Sequence, residues 1–176
     1  LVDRMELAIL SFATIGALTA FLRFNWSPAQ IFMGDTGSLL CGLICAILAI
    51  EFIEMHNEEY DLKGFGFNSA PIVAFGVLII PLYDTLRVFT TRILKGNSPL
   101  DPDKTHLHHL LLNCKLNHVQ SSLILVGLNG IFILLVYFLQ DIGSVNLLIV
   151  IISILLVLTI FLEYMAKKYQ RMPDIT

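Results

Sequence analysis

Charged residues are scarce in this chain. Asp, Glu, Lys and Arg make up 14% of its 176 residues, against about a quarter in ordinary soluble domains. Hydrophobic residues make up 56%, and the mean hydropathy is +0.79. This composition excludes an ordinary soluble domain and directs attention to membrane spans. The net charge of −3 says little by itself, and the placement of the charges is more informative.

Cysteines are also few, and the chain does not begin with methionine. Cys41, Cys45 and Cys114 make no disulfide framework, and the first two lie in an apolar run, where cysteine behaves as a small hydrophobe. Because the first residue is Leu1 rather than methionine, we expect a fragment of a longer protein.

Five apolar runs approach or reach the length that a bilayer requires of a helix. Pro81 removes a helical hydrogen bond, which predicts a kink near the membrane surface, and residues 87–95 are expected to continue as helix into water. The predicted fold is an all-α, polytopic membrane protein with about five transmembrane helices, in a single domain over residues 1–176. The runs cover about residues 7–22, 39–53, a stretch starting near 70, 119–139 and 145–162.

Basic residues predict the orientation of these spans. Five spans with short loops must alternate sides, so residues 24–38 and 83–118 face the same side. If that side is the cytosol, nine basic residues are cytosolic and only Arg4 and Lys63 lie outside, a strong positive-inside bias. The nine are Arg23, Arg87, Arg92, Lys95, Lys104, Lys115, Lys167, Lys168 and Arg171.

The first polar island is MGDTGS, residues 33–38, just before an apolar run. Asp35 stands in a glycine-lined turn at a predicted helix N-terminus, where free N–H groups suit phosphate and a carboxylate suits Mg²⁺. The simpler interpretation is that Asp35 caps the helix, with Thr36 and Ser38 as further N-cap candidates.

The second island covers residues 83–118. Asp84 and Arg87 are three residues apart on a helical stretch, which predicts a local ion pair. Arg92 and Lys95 fit the basic residues that flank membrane spans on the cytosolic side. Arg92 equally fits phosphate binding, because a guanidinium matches the geometry of phosphate.

His106, His108 and His109 crowd into four residues of this island. Three interpretations stay open: a solvated loop without a role, zinc binding together with Cys114 at an unusual spacing, and phosphate contact or proton transfer, for which the near-neutral pKa of histidine is suited. If a helix starts near Thr105, His106 and His109 share one face.

Three classes of protein offer other interpretations of these polar islands. The string DTGS matches the active-site loop of pepsin-like aspartic proteases, but these are soluble β-proteins. Intramembrane aspartyl proteases pair a Tyr-Asp with a Gly-x-Gly-Asp, and Tyr83-Asp84 with Gly34-Asp35 echo this in reversed order and without the first glycine. A non-enzymatic channel or scaffold subunit is the third alternative.

Three segments together resemble the polyprenyl-phosphate N-acetylhexosaminyl-1-phosphate transferase family. They are IFMGDTGSL at Ile31–Leu39, IPLYDTLRV at Ile80–Val88 and GNSPLDPDKTHLHHLLL at Gly96–Leu112. The resemblance implies transfer of a sugar 1-phosphate from a UDP-N-acetylhexosamine to a membrane polyprenyl phosphate, with release of UMP, at the start of cell-envelope glycan synthesis. The H-x-H-H form resembles the GlcNAc-type branch, and the implied location is the bacterial inner membrane.

The resemblance also implies roles for individual residues. Asp35 matches the Mg²⁺-ligating aspartate, with Mn²⁺ as a substitute ion. The histidine motif, His106, His108 and His109, is expected to contact the diphosphate or assist transfer. Substrate binding is expected from Arg87, Arg92, Asp103 and Lys104.

The family's upstream paired-aspartate motif and its Asn/Asp-rich motif do not occur here. The chain therefore resembles the C-terminal half of a ten- or eleven-helix enzyme and is expected to be inactive alone. Expected partners are the N-terminal half, membrane lipid and a second copy in a homodimer, but not nucleic acid.

Overall fold

The computed structural model describes residues 2–57, 70–98 and 105–170, with side chains from residue 5 to residue 169. These residues are almost entirely helical and include no strand, which confirms the all-α prediction. The helices are α1 (Val2–Asn25), α2 (Gly34–Asn57), α3 (Ala70–Val77), α4 (Ile79–Leu94), α5 (Leu107–Asn113), α6 (His118–Leu139) and α7 (Ser144–Gln170), with a 3-10 turn at Gln140–Ile142.

Four of these helices are long and apolar enough to cross a bilayer: α1, α2, α6 and α7. The fifth predicted span is the pair α3 and α4, which are bent by 75° at their junction. The prediction of about five spans is confirmed if this bent pair is counted as one. The helices α1, α2, α6 and α7 extend beyond their predicted apolar runs at one or both ends, because backbone hydrogen bonding continues after hydropathy falls.

The chain divides into two compact units, Leu1–Leu62 and Lys63–Thr176. The first contains α1, α2 and the segment between them. Two bonds hold that segment: Gln30 N donates to Phe24 O (2.9 Å), and the Asn25 side-chain amide donates to Ile31 O (2.8 Å). These bonds shape the approach to the first turn of α2, where Asp35 lies.

The second unit has its core along one stripe of α7. Leu147, Ile151 and Leu155 recur every fourth residue and are completely buried, as expected for one face of a helix. Around this stripe α5 packs against both α6 and α7, and α3 packs against α6. The rest of the core comes from Ile72, Ile79, Ile80, Tyr83, Leu107, Leu111, Phe132, Val136 and Leu162.

The junction of α3 and α4 lies at Leu78, three residues before Pro81. Proline has no N–H to donate to the carbonyl four residues earlier, and its ring crowds that carbonyl. The affected carbonyl is that of Val77, which accepts a hydrogen bond from the Asn129 side chain (3.1 Å). The predicted kink is therefore present, and it lies one turn ahead of the proline.

Candidate active site

The three histidines lie at the start of the short helix α5. Leu107 and Leu111 on the same helix are each 2% exposed and belong to the core, so they dock α5 against α6 and α7. His106 is the N-cap residue, and the side chains of all three histidines are partly exposed. The apolar face of α5 thus fixes the helix that carries His108 and His109 and has His106 at its N-cap.

Asp84 joins α4 to this helix. Its Oδ2 lies 3.0 Å from Nδ1 of His106, and its Oδ1 accepts a hydrogen bond from Leu107 N (2.9 Å). A carboxylate at a helix N-terminus satisfies a free N–H and interacts favourably with the helix dipole. Asp84 therefore sets both the position of the first histidine and the start of α5.

Arg87 lies between two carboxylates. Its Nη2 is 3.1 Å from Asp84 Oδ1, so the local ion pair predicted from the spacing is present. In addition, Nη1 is 3.5 Å from Oε1 of Glu163 on α7, and Nη2 donates to the carbonyl of Thr105. The Arg87 side chain is 10% exposed against 46% for Glu163. Most of its donors are thus already used within the fold, and its substrate-binding role stays a prediction.

The other predicted substrate-binding residues are differently placed. Arg92, in the last turn of α4, is 7% exposed and therefore buried. Asp103 and Lys104 lie outside the described residues. The roles of these three residues stay predictions.

His108 forms a pair with His118, the first residue of α6. Nε2 of His108 and Nδ1 of His118 are 3.2 Å apart, and the rings stack with centroids 5.4 Å apart. His109 meets His108 edge-on at 5.9 Å. Burial, followed by the nearby charges of His118 and His109, lowers the pKa of His108 below 6.5. His108 is therefore neutral at neutral pH and is suited to accept a proton.

Asp35 lies in the first turn of α2 and is exposed. Gly34, just before it, has φ +65°, a conformation that favours glycine. Because α2 begins at Gly34, Thr36 and Ser38 lie inside the helix and the prediction that they are N-caps is wrong. Instead, Ser38 Oγ donates to Asp35 O (3.0 Å). Asp35 belongs to the first unit and the histidines to the second, so their meeting around one substrate stays a prediction.

The zinc interpretation gains no support where the structure can test it. Among residues 2–57, 70–98 and 105–170, no three His, Cys, Asp or Glu side chains converge as metal ligands. Burial also raises the pKa of the Cys114 thiol, which disfavours the thiolate that zinc would need.

Helix α7 contributes residues that the sequence analysis missed. Glu163 reaches Arg87, and Thr159 Oγ1 lies 2.9 Å from the hydroxyl of Tyr83, which also donates to Leu155 O (3.3 Å). His118 was likewise missed, although it closes the same polar island. One signal could have found Glu163: a carboxylate near the end of an apolar run is costly and usually has a partner.

Comparison with known proteins gives a consistent result. Residues 1–53 match the family model described as glycosyl transferase family 4. The chain is 35% identical over 120 residues to the decaprenyl-phosphate N-acetylglucosaminephosphotransferase of Mycolicibacterium smegmatis, covering 67% of the chain and 30% of that protein. It is 35% identical over 123 residues to a probable undecaprenyl-phosphate N-acetylglucosaminyl 1-phosphate transferase of Bacillus subtilis, covering 70% and 32%.

A third relative is the undecaprenyl-phosphate alpha-N-acetylglucosaminyl 1-phosphate transferase of Haemophilus influenzae, 31% identical over 134 residues, covering 73% of the chain and 35% of that protein. The chain thus spans about a third of the length of the curated relatives it matches. No solved structure matches it significantly.

Proposed function

Because the chain belongs to glycosyl transferase family 4, we propose that it forms part of a membrane enzyme that transfers GlcNAc 1-phosphate from UDP-GlcNAc to polyprenyl phosphate. An oxygen of the polyprenyl phosphate attacks the phosphorus that carries the sugar. The bond between the two phosphates of the donor breaks, and UMP leaves. The product is a polyprenyl diphosphate that carries the sugar.

The single observation that carries this proposal is the similarity to enzymes named as polyprenyl-phosphate N-acetylglucosaminyl phosphate transferases, which extends over about two thirds of the chain. The apolar spans support it as well, because an acceptor with a polyprenyl tail has to be met at a membrane surface. The distribution of basic residues supports a cytosolic position for the site, and the bacterial origin of the relatives supports a location in the bacterial inner membrane.

The described site residues suit phosphoryl transfer, which depends chiefly on positioning and on neutralising phosphate charge. In the proposed enzyme, His106, His108 and His109 contact the diphosphate or transfer a proton. The low pKa of His108 keeps it neutral and able to accept the proton of an attacking group. Arg92, Asp103 and Lys104 complete the expected substrate contacts, and Arg87 acts mainly by holding Asp84.

Magnesium is the proposed cofactor, with Mn²⁺ as a substitute. Asp35 fits this role because its carboxylate is exposed in the first turn of α2. Mg²⁺ commonly keeps several waters and binds to one or two carboxylates together with substrate phosphates, so a single carboxylate from this unit suffices. When bound, the ion neutralises the charge that develops on the diphosphate.

Two variants test the proposal in membranes that contain the enzyme carrying this chain. Transfer of radiolabelled GlcNAc phosphate from UDP-GlcNAc to polyprenyl phosphate is measured at saturating Mg²⁺. We expect Asp35→Asn and His108→Gln each to reduce transfer by at least about 100-fold, with unchanged membrane insertion. Thr90→Ala, an exposed change on α4, is the control and should keep normal transfer. Near-normal rates in Asp35→Asn would contradict the metal role.

The same membranes separate the proposal from its rivals. An intramembrane aspartyl protease would need Asp35 and Asp84 but not the histidines. That reading is disfavoured because Asp84 already accepts hydrogen bonds from His106 and Leu107 and pairs with Arg87. A channel or scaffold would tolerate alanine at His106, His108 and His109 together. Normal function of such a triple variant would overturn the transferase proposal.

A further inference from the structure

The carboxylate of Asp84 is the shared acceptor at the junction of α4 and α5. Three donors converge on it: Nδ1 of His106, the backbone N–H of Leu107 and Nη2 of Arg87. Its side chain is only 16% exposed, so water competes little for these bonds. An ionised carboxylate accepts hydrogen bonds and donates none, so the nitrogen of His106 that faces it carries a proton.

This contact determines the chemistry of the His106 ring. With the proton on Nδ1, a neutral imidazole has its lone pair on Nε2, and a charged imidazole has an N–H there. Nε2 has no hydrogen bond within the part of the chain that the structure describes, and the side chain is 41% exposed. One ring nitrogen is thus held by the protein, and the other is open to a ligand.

Arg87 on α4 and Glu163 on α7 support the same arrangement. Arg87 pairs with Asp84 at 3.1 Å and with Glu163 at 3.5 Å, and it also donates to the carbonyl of Thr105, the residue before His106. The arginine therefore fixes both the carboxylate that holds the histidine and the backbone that leads to it. A cation shared between two carboxylates also offsets the cost of placing Asp84 away from water.

We propose that Asp84 is a positioning residue for the transfer reaction: it holds the proton of His106 on Nδ1, so that Nε2 is the nitrogen that faces the substrate, as a proton acceptor while the ring is neutral and as an N–H donor to the diphosphate once the ring is protonated. The part of this inference that concerns the substrate diphosphate rests on the proposed function. The part that concerns the tautomer of His106 is a property of this chain alone. Asp84 itself does not touch the reacting atoms.

The tautomer is tested without any activity measurement. The chain is labelled with ¹⁵N-histidine, reconstituted in lipid nanodiscs and studied by NMR at a pH high enough to leave the His106 ring neutral, with the His106 signals assigned by their loss in His106→Asn. We expect the unmodified chain to show a protonated Nδ1 and an unprotonated Nε2. Asp84→Asn should reverse this, because its amide N–H₂ can donate to Nδ1. The Nε2–H tautomer in the unmodified chain would overturn the proposal, even if Asp84→Asn does not fold.

Kinetics test the link to the reaction in the enzyme that carries this chain. We expect Asp84→Asn to reduce kcat by about 10- to 100-fold, with less than about a threefold change in the KM for UDP-GlcNAc, because it changes which nitrogen of His106 faces the reaction and leaves the other proposed substrate contacts in place. Asp84→Glu should recover part of the lost kcat. Thr90→Ala is the matched control on α4 and should leave both parameters unchanged.

A double-variant cycle separates positioning from general destabilisation. His106→Asn keeps an amide N–H near Asp84 but has no counterpart of Nε2. If Asp84 acts through His106, Asp84→Asn in the His106→Asn background should reduce kcat by less than about twofold. Full additivity of the two losses would overturn the positioning role.

Failure of the proposed function gives a different pattern. In that case no variant, nor the unmodified enzyme, would transfer sugar phosphate, while the reversal of the His106 tautomer in Asp84→Asn would persist. That result would retain the Asp84–His106 assignment and overturn the transferase.

Discussion

The side-chain amide of Asn129 on α6 donates a hydrogen bond to the carbonyl of Val77 at the end of α3 (3.1 Å). Pro81 cannot supply the helical N–H that this carbonyl would otherwise accept. An unsatisfied carbonyl within a bilayer is costly, so Asn129 stabilises the 75° bend from which α4 departs toward the histidines.

Replacing Asn129 with leucine should therefore destabilise the second unit. We expect a loss of about 1 kcal/mol, within the range measured for hydrogen bonds between membrane helices. The measurement is unfolding of the purified chain in mixed micelles by a denaturing detergent. Ser153→Ala, which removes a bond from an exposed serine back to its own helix, should change the free energy of unfolding much less.

Gly76 provides a sharper packing test. A Cβ built there would lie 2.7 Å from Cγ2 of Val136 on α6. Gly76→Ala should cost about 1–3 kcal/mol through overpacking, measured in the same micelles. Gly127→Ala, at a site with open space on α6, should be neutral or slightly stabilising. Adding Val136→Ala to Gly76→Ala should relieve the overlap, and no recovery would contradict the proposed contact between α3 and α6.

The low pKa of His108 should depend on His118. Burial is the larger cause of the shift and the charge of His118 the next, so His118→Gln should raise the pKa of His108 only part of the way toward 6.5. NMR titration of the His108 ring measures this. Asn113→Ala, an uncharged change on the same helix, should leave the titration unchanged, and an equal shift in both variants would contradict the charge effect.

The same shift predicts how stability depends on pH. His108 binds a proton less readily in the native protein than in the unfolded chain, because its native pKa is lowered. Its contribution to the free energy of unfolding is therefore fully present above pH 6.5 and is lost as pH falls through the lowered native pKa. The free energy of unfolding should fall less steeply over that window in His118→Gln. A steeper fall in that variant would contradict the assignment.

Labelling tests whether the two polar islands face the same side. With Cys41 and Cys45 replaced by alanine, Cys114 reports the histidine island, and Thr36→Cys in a chain that also lacks Cys114 reports the island of Asp35. We expect a membrane-impermeant maleimide to label both from the cytosolic side only. Val145→Cys in the same cysteine-free background should react from the opposite side.

Cys114 has a further expected signature. Because burial raises its pKa, little thiolate is present at neutral pH, and the labelling rate should keep rising above pH 9.

Labelling of Thr36→Cys and Cys114 from opposite sides of the membrane would contradict the proposal that the two polar islands form one shared site.

The class of fold and the candidate residues could be predicted from the amino-acid sequence. Apolar runs of membrane-spanning length, Pro81 and the cluster of histidines are all local features, and each depends only on neighbouring residues. The Asp84–Arg87 pair was predictable for the same reason, since three residues along a helix bring two side chains to one face.

The partners of these residues could not be predicted in this way, because they depend on how distant helices pack. Asp84 meets His106 across 22 residues of chain, and Arg87 meets Glu163 across 76. Such pairings depend on which faces of α4, α5 and α7 pack together, and packing between helices is specified by the fit of many side chains rather than by the spacing of a few. For that reason the histidines could be recognised in the sequence, whereas the carboxylate that orients one of them could not.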